Sequence, residues 1–209
     1  MLYISLLPLV LASASPRRYE LLSSLGLEFE LCPSCVEEPL PDPDESAPDY
    51  ALRAARIKAE SVASGRSDAV VLAADTVVAI GESILGKPAD SGAALEMMRL
   101  LCSTGAEPPT THLVVTGCCL LRVEAGRVVA RREYYASTAV DMGPAPAAVL
   151  AAYASRPEPL DKAGGYAIQG LAACLVRGIR GSYTNVVGLP LAETMDALLS
   201  LGAIAARGV

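Results

Sequence analysis

The run Leu11-Ala12-Ser13-Ala14-Ser15-Pro16-Arg17-Arg18-Tyr19-Glu20-Leu21-Leu22 is where the chain turns from strand into helix. The apolar residues Leu6 to Leu11 read as a buried strand. Ser15 is a helix cap by residue type, and Pro16 stands at the first helical position, where its missing N–H costs nothing. The junction at Ser13 to Arg18 therefore offers unpaired backbone N–H groups and the positive end of a helix, together with two hydroxyls and two guanidiniums. That is a phosphate site in outline. Arg17 and Arg18 also fit a plain solvated helix start, although cations there oppose the helix dipole and gain most from a compensating anion.

Downstream, the first helix ends near Gly26 and Glu28 to Cys32 alternates like a strand. Glu37-Glu38-Pro39-Leu40-Pro41-Asp42-Pro43-Asp44-Glu45 is acidic and proline-rich, an exposed loop whose first two carboxylates lie closest to the strand and could serve a cation. Ser46-Ala47-Pro48-Asp49 opens the next helix with a cap residue, an early proline and an acid three residues on. Its period puts Ala51, Ala54 and Lys58 on one face and Arg53, Arg56 and Glu60 on another. Lys58 thus runs along the apolar side, where its ammonium needs a partner or must reach out to water.

Ala69 to Ile80 is a continuous apolar strand of the kind buried on both faces, interrupted by Asp75 and Thr76. An unpaired carboxylate there would be costly, so Asp75 must face a cation, a metal, a cleft or a structural partner. Gly86-Lys87-Pro88 returns a second ammonium towards the same region. A helix from about Ser91 to Cys102 packs Ala94, Leu95, Met98 and Leu101 into a core. Two strands, about Thr111 to Val123 and Arg127 to Val140, form a hairpin, with His112 read as a surface or strand histidine. A helix follows at Ala145 to Ser155. Asp161-Lys162-Ala163-Gly164-Gly165-Tyr166-Ala167-Ile168-Gln169-Gly170 then brings close-approach glycines together with varied hydrogen-bonding side chains. Gly181 to Pro190 reads as a loop leading into a final helix through Leu191, Met195, Leu198 and Leu199. Strands alternating with helices, plus one hairpin, make an α/β fold with a mixed sheet flanked by helices.

Composition narrows the function classes. With 209 residues, 52% apolar and 19% charged, the chain buries a real core and reads as a single domain, 1–209. A net charge of −6 and one histidine speak against a broad nucleic-acid surface and against histidine-rich metal chemistry, so any anion site is local. Cys32-x-x-Cys35 resembles half a zinc or redox site, but no second pair completes it, and the six cysteines fit incidental thiols of a reducing compartment. Met1 to Leu11 is apolar but lacks the basic start of a secretory signal, and it reads as the first strand. No apolar run is long enough to span a bilayer, so the expected protein is cytoplasmic, with no membrane partner.

Five blocks resemble, in order and over nearly the whole chain, the Maf (septum-formation) family of nucleoside triphosphate pyrophosphatases. They are Leu11 to Arg18, Ala74 to Val78, Gly86 to Pro88, Asp161 to Gly164 with Ile168 to Gly170, and Asn185 to Pro190. The resemblance implies an elongated mixed sheet flanked by helices, two lobes around a substrate cleft, a likeness to inosine triphosphate pyrophosphatases, and a homodimer. It implies cleavage of a nucleoside triphosphate to the monophosphate and pyrophosphate with a divalent cation, Mg²⁺ or Mn²⁺. Asp75 matches the catalytic aspartate, which deprotonates or orients water and helps hold the metal. Glu38 is the matching second metal contact, with Glu37 the alternative. Ser13, Arg17, Arg18, Lys58 and Lys87 match positions that hold the triphosphate. Lys162 and Gln169 lie in the block tied to substrate choice, and Arg17, Thr76 and Gln169 match specificity-linked positions.

This form of the block resembles the branch acting on dTTP and UTP, and the resemblance implies a house-cleaning activity that extends to modified pyrimidine nucleotides. The Gln169 amide suits the N3–H and a carbonyl of thymine or uracil. Ala167 departs from the glycine common in relatives. Other classes stay open: a non-catalytic nucleotide-binding regulator of septum formation or cell division, a 7-methyl-GTP pyrophosphatase, or a phosphatase releasing inorganic phosphate.

Overall fold

The computed structural model describes residues 2–102 and 110–208. In chain order its elements are β1 (Tyr3–Ser5), β2 (Leu9–Leu11), α1 (Pro16–Ser23), β3 (Glu30–Leu31), α2 (Ala47–Ala63), β4 (Ala69–Ile80), β5 (Ser83–Leu85), α3 (Ser91–Leu101), β6 (Thr110–Glu124) and β7 (Arg127–Met142). There follow α4 (Ala147–Ala154), short 3₁₀ turns at Glu158–Asp161, Ala163–Gly165 and Leu171–Leu175, then β8 (Val176–Arg180), α5 (Tyr183–Val187), α6 (Leu191–Ser200) and β9 (Ile204–Ala206). The main sheet runs β3-β2-β4-β6-β7-β8 with β5 on β4, and β1 pairs with β9 in a small second sheet. β2 is parallel to β3 and β4, whereas β5 and β8 are antiparallel to their neighbours, so the sheet is mixed and the α/β reading holds.

The chain forms two compact units. The first comprises Met1–Asp75, Thr116–Ala136 and Gly188–Val209; the second comprises Thr76–Val115 and Ser137–Val187. In the first, strand alternation builds two cores. Val70, Leu72 and Ala74 of β4 join Cys118 and Leu120 of β6, Leu22 of α1 and Leu198 of α6. Ala69, Val71 and Ala73 face the other way, onto Ala55, Ala59 and Val62 of α2. Odd positions of β4 thus look towards α2, which is the side on which Asp75 falls.

Helix α2 can lie close because its inner face is alanine: Ala51, Ala54, Ala55 and Ala59 are fully buried. Gly117 of β6 completes the fit, since a Cβ there would sit 2.4 Å from the Ala51 carbonyl carbon. The start of α2 forms as its sequence dictates, with the Asp49 N–H donating to the Ser46 hydroxyl.

In the second unit Val78, Met98, Leu101, Val114, Val140, Leu150 and Tyr166 share one core. The buried Asn185 side chain donates to the Val114 carbonyl and to Thr138 Oγ1, both at 2.9 Å. A motif residue is therefore part of the scaffold.

Several details depart from the sequence reading. The first strand does not run from Leu6 to Leu11: the chain breaks at Leu6 to Pro8, Pro8 lacking a ladder donor, and β1 turns away to pair with β9. Ser15 takes the cap position without a side-chain cap bond. The stretch Gly181 to Pro190 is not all loop, because α5 occupies its centre. His112 is not on the surface: it is 1% exposed, with Nε2 2.7 Å from the Tyr166 hydroxyl. Leu199 faces outward, at 40% exposure.

Candidate active site

In the first unit, three side chains predicted separately meet at one point. Asp75 is buried in β4 and Lys58 on the inner face of α2, and the Lys58 ammonium donates to Asp75 Oδ1 at 2.6 Å. The same ammonium donates to Glu38 Oε1 at 2.8 Å. Lys58 and Asp75 thus answer each other's need for a partner, with their side chains each only 11% exposed, while Glu38 stands at the more open end at 47%. A buried ion pair of this kind is weak evidence for stability, because desolvation offsets most of the Coulomb gain. It is Glu38, rather than Glu37, that turns towards Lys58.

The acidic loop is fastened so that Glu38 arrives there. Tyr50 of α2 donates to the Pro39 carbonyl at 2.9 Å, one residue beyond Glu38. Arg53, one turn further on, donates to both oxygens of Glu45 at 2.7 and 2.6 Å and to the Leu40 carbonyl. That pair holds the Glu45 carboxyl below its ordinary range. Burial raises the Tyr50 hydroxyl's pKa, and the charges of Asp75 and Glu38 add to the effect.

The strand-to-helix junction lies in the same unit. Ser13 is buried, and its hydroxyl accepts the Ser15 N–H at 3.2 Å and an Arg18 Nη1–H at 3.3 Å. Arg18 also donates from Nε to the Gly188 carbonyl at 2.8 Å, joining the first motif to the last. Burial lowers the Arg18 pKa from its ordinary value, and the Asp75 charge opposes that shift. Arg17 is half-buried beside it.

The remaining candidates belong to the second unit. Thr76 follows Asp75 directly in β4 and is half-buried; Lys87 is exposed after β5. Gly164 brings the glycine block against this region: its N–H donates to the Gly86 carbonyl at 3.0 Å, and a Cβ on it would lie 2.8 Å from Val78. Its positive φ of 66° independently favours glycine. Lys162 donates to the Glu158 carbonyl and to Asp161 Oδ1, and Gln169 is exposed at the far end of the block.

The chain as a whole is similar to known proteins. The model of the family described as Maf-like protein matches residues 8–201. The chain belongs to that family. It is 46% identical over 94% of its length, and 89% of the relative's, to a protein of Nitratidesulfovibrio vulgaris named dTTP/UTP pyrophosphatase. A protein of Syntrophus aciditrophicus with the same name is 45% identical over 96% of this chain and 93% of its own. A solved nucleoside-triphosphatase/dITP/XTP pyrophosphatase from Mycobacterium abscessus is similar at 16% identity and a TM-score of 0.41, covering 93% of this chain and 94% of that one.

In this Maf-like chain the described residues contain no cluster of three or more His, Cys, Asp or Glu side chains able to hold a metal. Glu38 and Asp75 nevertheless converge on one cation, the Lys58 ammonium, and as hard oxygen donors they suit a cation that takes its other ligands from substrate phosphates and water. Cys32 and Cys35 are free thiols. No helix among the described residues is long and apolar enough to cross a membrane.

The sequence missed the two residues that fasten the acidic loop. Tyr50 and Arg53 look like ordinary surface residues in a helical pattern, and the signal available was only their spacing behind the acidic loop.

Proposed function

We propose that this protein hydrolyses dTTP and UTP to the nucleoside monophosphate and pyrophosphate, using a divalent cation, Mg²⁺ or Mn²⁺. The observation that carries the reading is the buried Asp75 carboxylate held against Lys58 and Glu38, in the unit that also presents Ser13 and Arg18 at a helix start. A fold gains little stability from such a group, whereas hydrolysis needs a base beside cations. The names of relatives 45–46% identical support the substrate class.

In this reading Asp75 accepts a proton from the attacking water, or orients it. Lys58 balances the Asp75 charge and, with Ser13, Arg17, Arg18 and Lys87, supplies donors to the triphosphate, where negative charge builds on the leaving pyrophosphate, while Lys162 belongs to the block that sets substrate choice. Glu38 and Asp75 hold the cation, which when bound would neutralise charge on the phosphoryl oxygens. Gln169 reads the pyrimidine edge, its amide matching one carbonyl and the N3–H, while Thr76 and Arg17 help set selectivity.

The test is product analysis. The purified chain is incubated with Mg²⁺ or Mn²⁺ and a panel of standard and modified nucleoside triphosphates, and nucleotide products and pyrophosphate are measured separately. Monophosphate and pyrophosphate in equal amounts, most rapidly from dTTP or UTP, are the expected products. Release of inorganic phosphate, a preference for 7-methyl-GTP, or no turnover by folded protein would overturn the proposal.

A further inference from the structure

We propose that Glu158 is a positioning residue for base selection, its carboxylate closing the neck of the loop that carries Gln169. This rests on the reading of Gln169 given above. Glu158 stands before the 161–170 block, and Leu171 just after it. Oε1 accepts the Leu171 N–H at 3.2 Å and the Tyr153 hydroxyl at 3.0 Å, and Oε2 accepts the same N–H at 3.3 Å. The Glu158 main-chain carbonyl accepts from Lys162 Nζ at 3.1 Å. One residue therefore ties both ends of the block together.

Gly170 explains why the tie is close. A Cβ at that position would lie 2.1 Å from Glu158 Oε1, so the carboxylate occupies the space that any side chain at 170 would take. The middle of the loop has its own pins, the Gly164 N–H on the Gly86 carbonyl and the Tyr166 hydroxyl against His112. Between Tyr166 and Leu171 the Gly170 N–H closes a turn on the Ala167 carbonyl, and the Ala167 backbone hydrogen-bonds the Tyr153 hydroxyl. Gln169 lies in that stretch, exposed, two residues from the Glu158 contact.

Tyr153 anchors the carboxylate in turn: it is buried in the α4 core, and its pKa is raised by burial and by the hydrogen bond to Glu158, so its hydroxyl is the donor. With Glu158 removed, the loop loses its tie at Leu171, and the nucleotide must supply more of the order of Ile168 to Leu171, an entropy cost that falls on base recognition.

The test compares the full-length protein with Glu158→Ala, Glu158→Gln, Gln169→Ala and the Glu158→Ala/Gln169→Ala double variant, using kcat and KM for dTTP and dCTP. Hydrogen exchange over residues 163–175 is followed without nucleotide. Glu158→Ala is expected to raise KM for dTTP tenfold or more with kcat within threefold. It should lower the dTTP/dCTP ratio of kcat/KM about tenfold and speed exchange at the Leu171 amide. Glu158→Gln should stay within threefold of the parent, because its amide oxygen still accepts the Leu171 N–H. The double variant should discriminate no worse than Gln169→Ala alone, since both changes act through one side chain. An equal loss of kcat on both nucleotides, or an unchanged ratio in Glu158→Ala where Gln169→Ala loses it, would overturn the inference. A parent protein that does not distinguish dTTP from dCTP would overturn the reading of Gln169 and this inference with it.

Discussion

Replacing Lys58 by Met removes the ammonium while keeping a flexible apolar stem, and it leaves Asp75 as a carboxylate inside the protein. The two side chains are each 11% exposed and in contact at 2.6 Å, so the pair falls in the buried class rather than the surface class. Taking one partner from a buried pair costs about 3–5 kcal/mol, chiefly through the uncompensated charge left behind. The Arg131–Glu60 pair, with side chains 42% and 47% exposed, sets the contrast: breaking it should cost about 0.2–1 kcal/mol.

In urea unfolding, with a slope of about 2 kcal/mol per molar, Lys58→Met should lower the midpoint by about 1.5–2.5 M, and Glu60→Gln by less than about 0.5 M. Adding Asp75→Asn to Lys58→Met removes the stranded charge and should recover at least half of the loss. A Lys58→Met cost below about 1 kcal/mol would place the pair in the surface class and show that Asp75 is not stranded by the loss of Lys58. A double variant no more stable than the single one would show that the penalty does not reside in Asp75.

Other expectations test the scaffold. Burial pushes the His112 imidazole down to about 4 from an ordinary 6.5, the Asp141 charge opposing, so between those values the unfolded chain binds a proton that the folded chain refuses. Stability from this site is present above about pH 6.5 and is lost as the pH falls towards 4, by roughly 3 kcal/mol. The urea midpoint of His112→Gln should therefore drop less than the parent's between pH 7 and pH 4.5; parallel drops would exclude His112 as the source. Gly117→Ala should cost about 1–3 kcal/mol or more, because its Cβ meets Ala51 backbone and not a yielding side chain. It should also reduce turnover by displacing α2, and with it Lys58. Normal thermal stability in that variant would show that α2 has room to move.

Much of this arrangement was legible in the residues because it is local. The twelve residues of β4 stand out as an apolar run with one carboxylate, and α2 announces itself through Ser46, Pro48 and Asp49. The period of α2 even put Lys58 on the buried face. What the sequence could not say was that Lys58 and Asp75 need each other, since that depends on α2 lying against β4, a distance set by Gly117 and the alanine face. The errors have the same origin. β1 pairs with β9 at the opposite end of the chain, and a three-residue strand such as Ile204–Ala206 has too little alternation to show itself. His112 reads as a surface or strand histidine; it does lie in a strand, but only the fold buries it and brings Tyr166 to it. Glu158 acts through a backbone N–H, a partner that leaves no pattern in the residue types.

The most direct measurement is the single-turnover rate of dTTP cleavage by Asp75→Asn, with circular dichroism and urea unfolding run on the same sample. If Asp75 is the base, cleavage to thymidine monophosphate and pyrophosphate should slow by about 10²–10⁴ while the fold persists, because the amide keeps the shape but cannot take the proton. Cleavage at the parent's rate by folded Asp75→Asn would contradict the account.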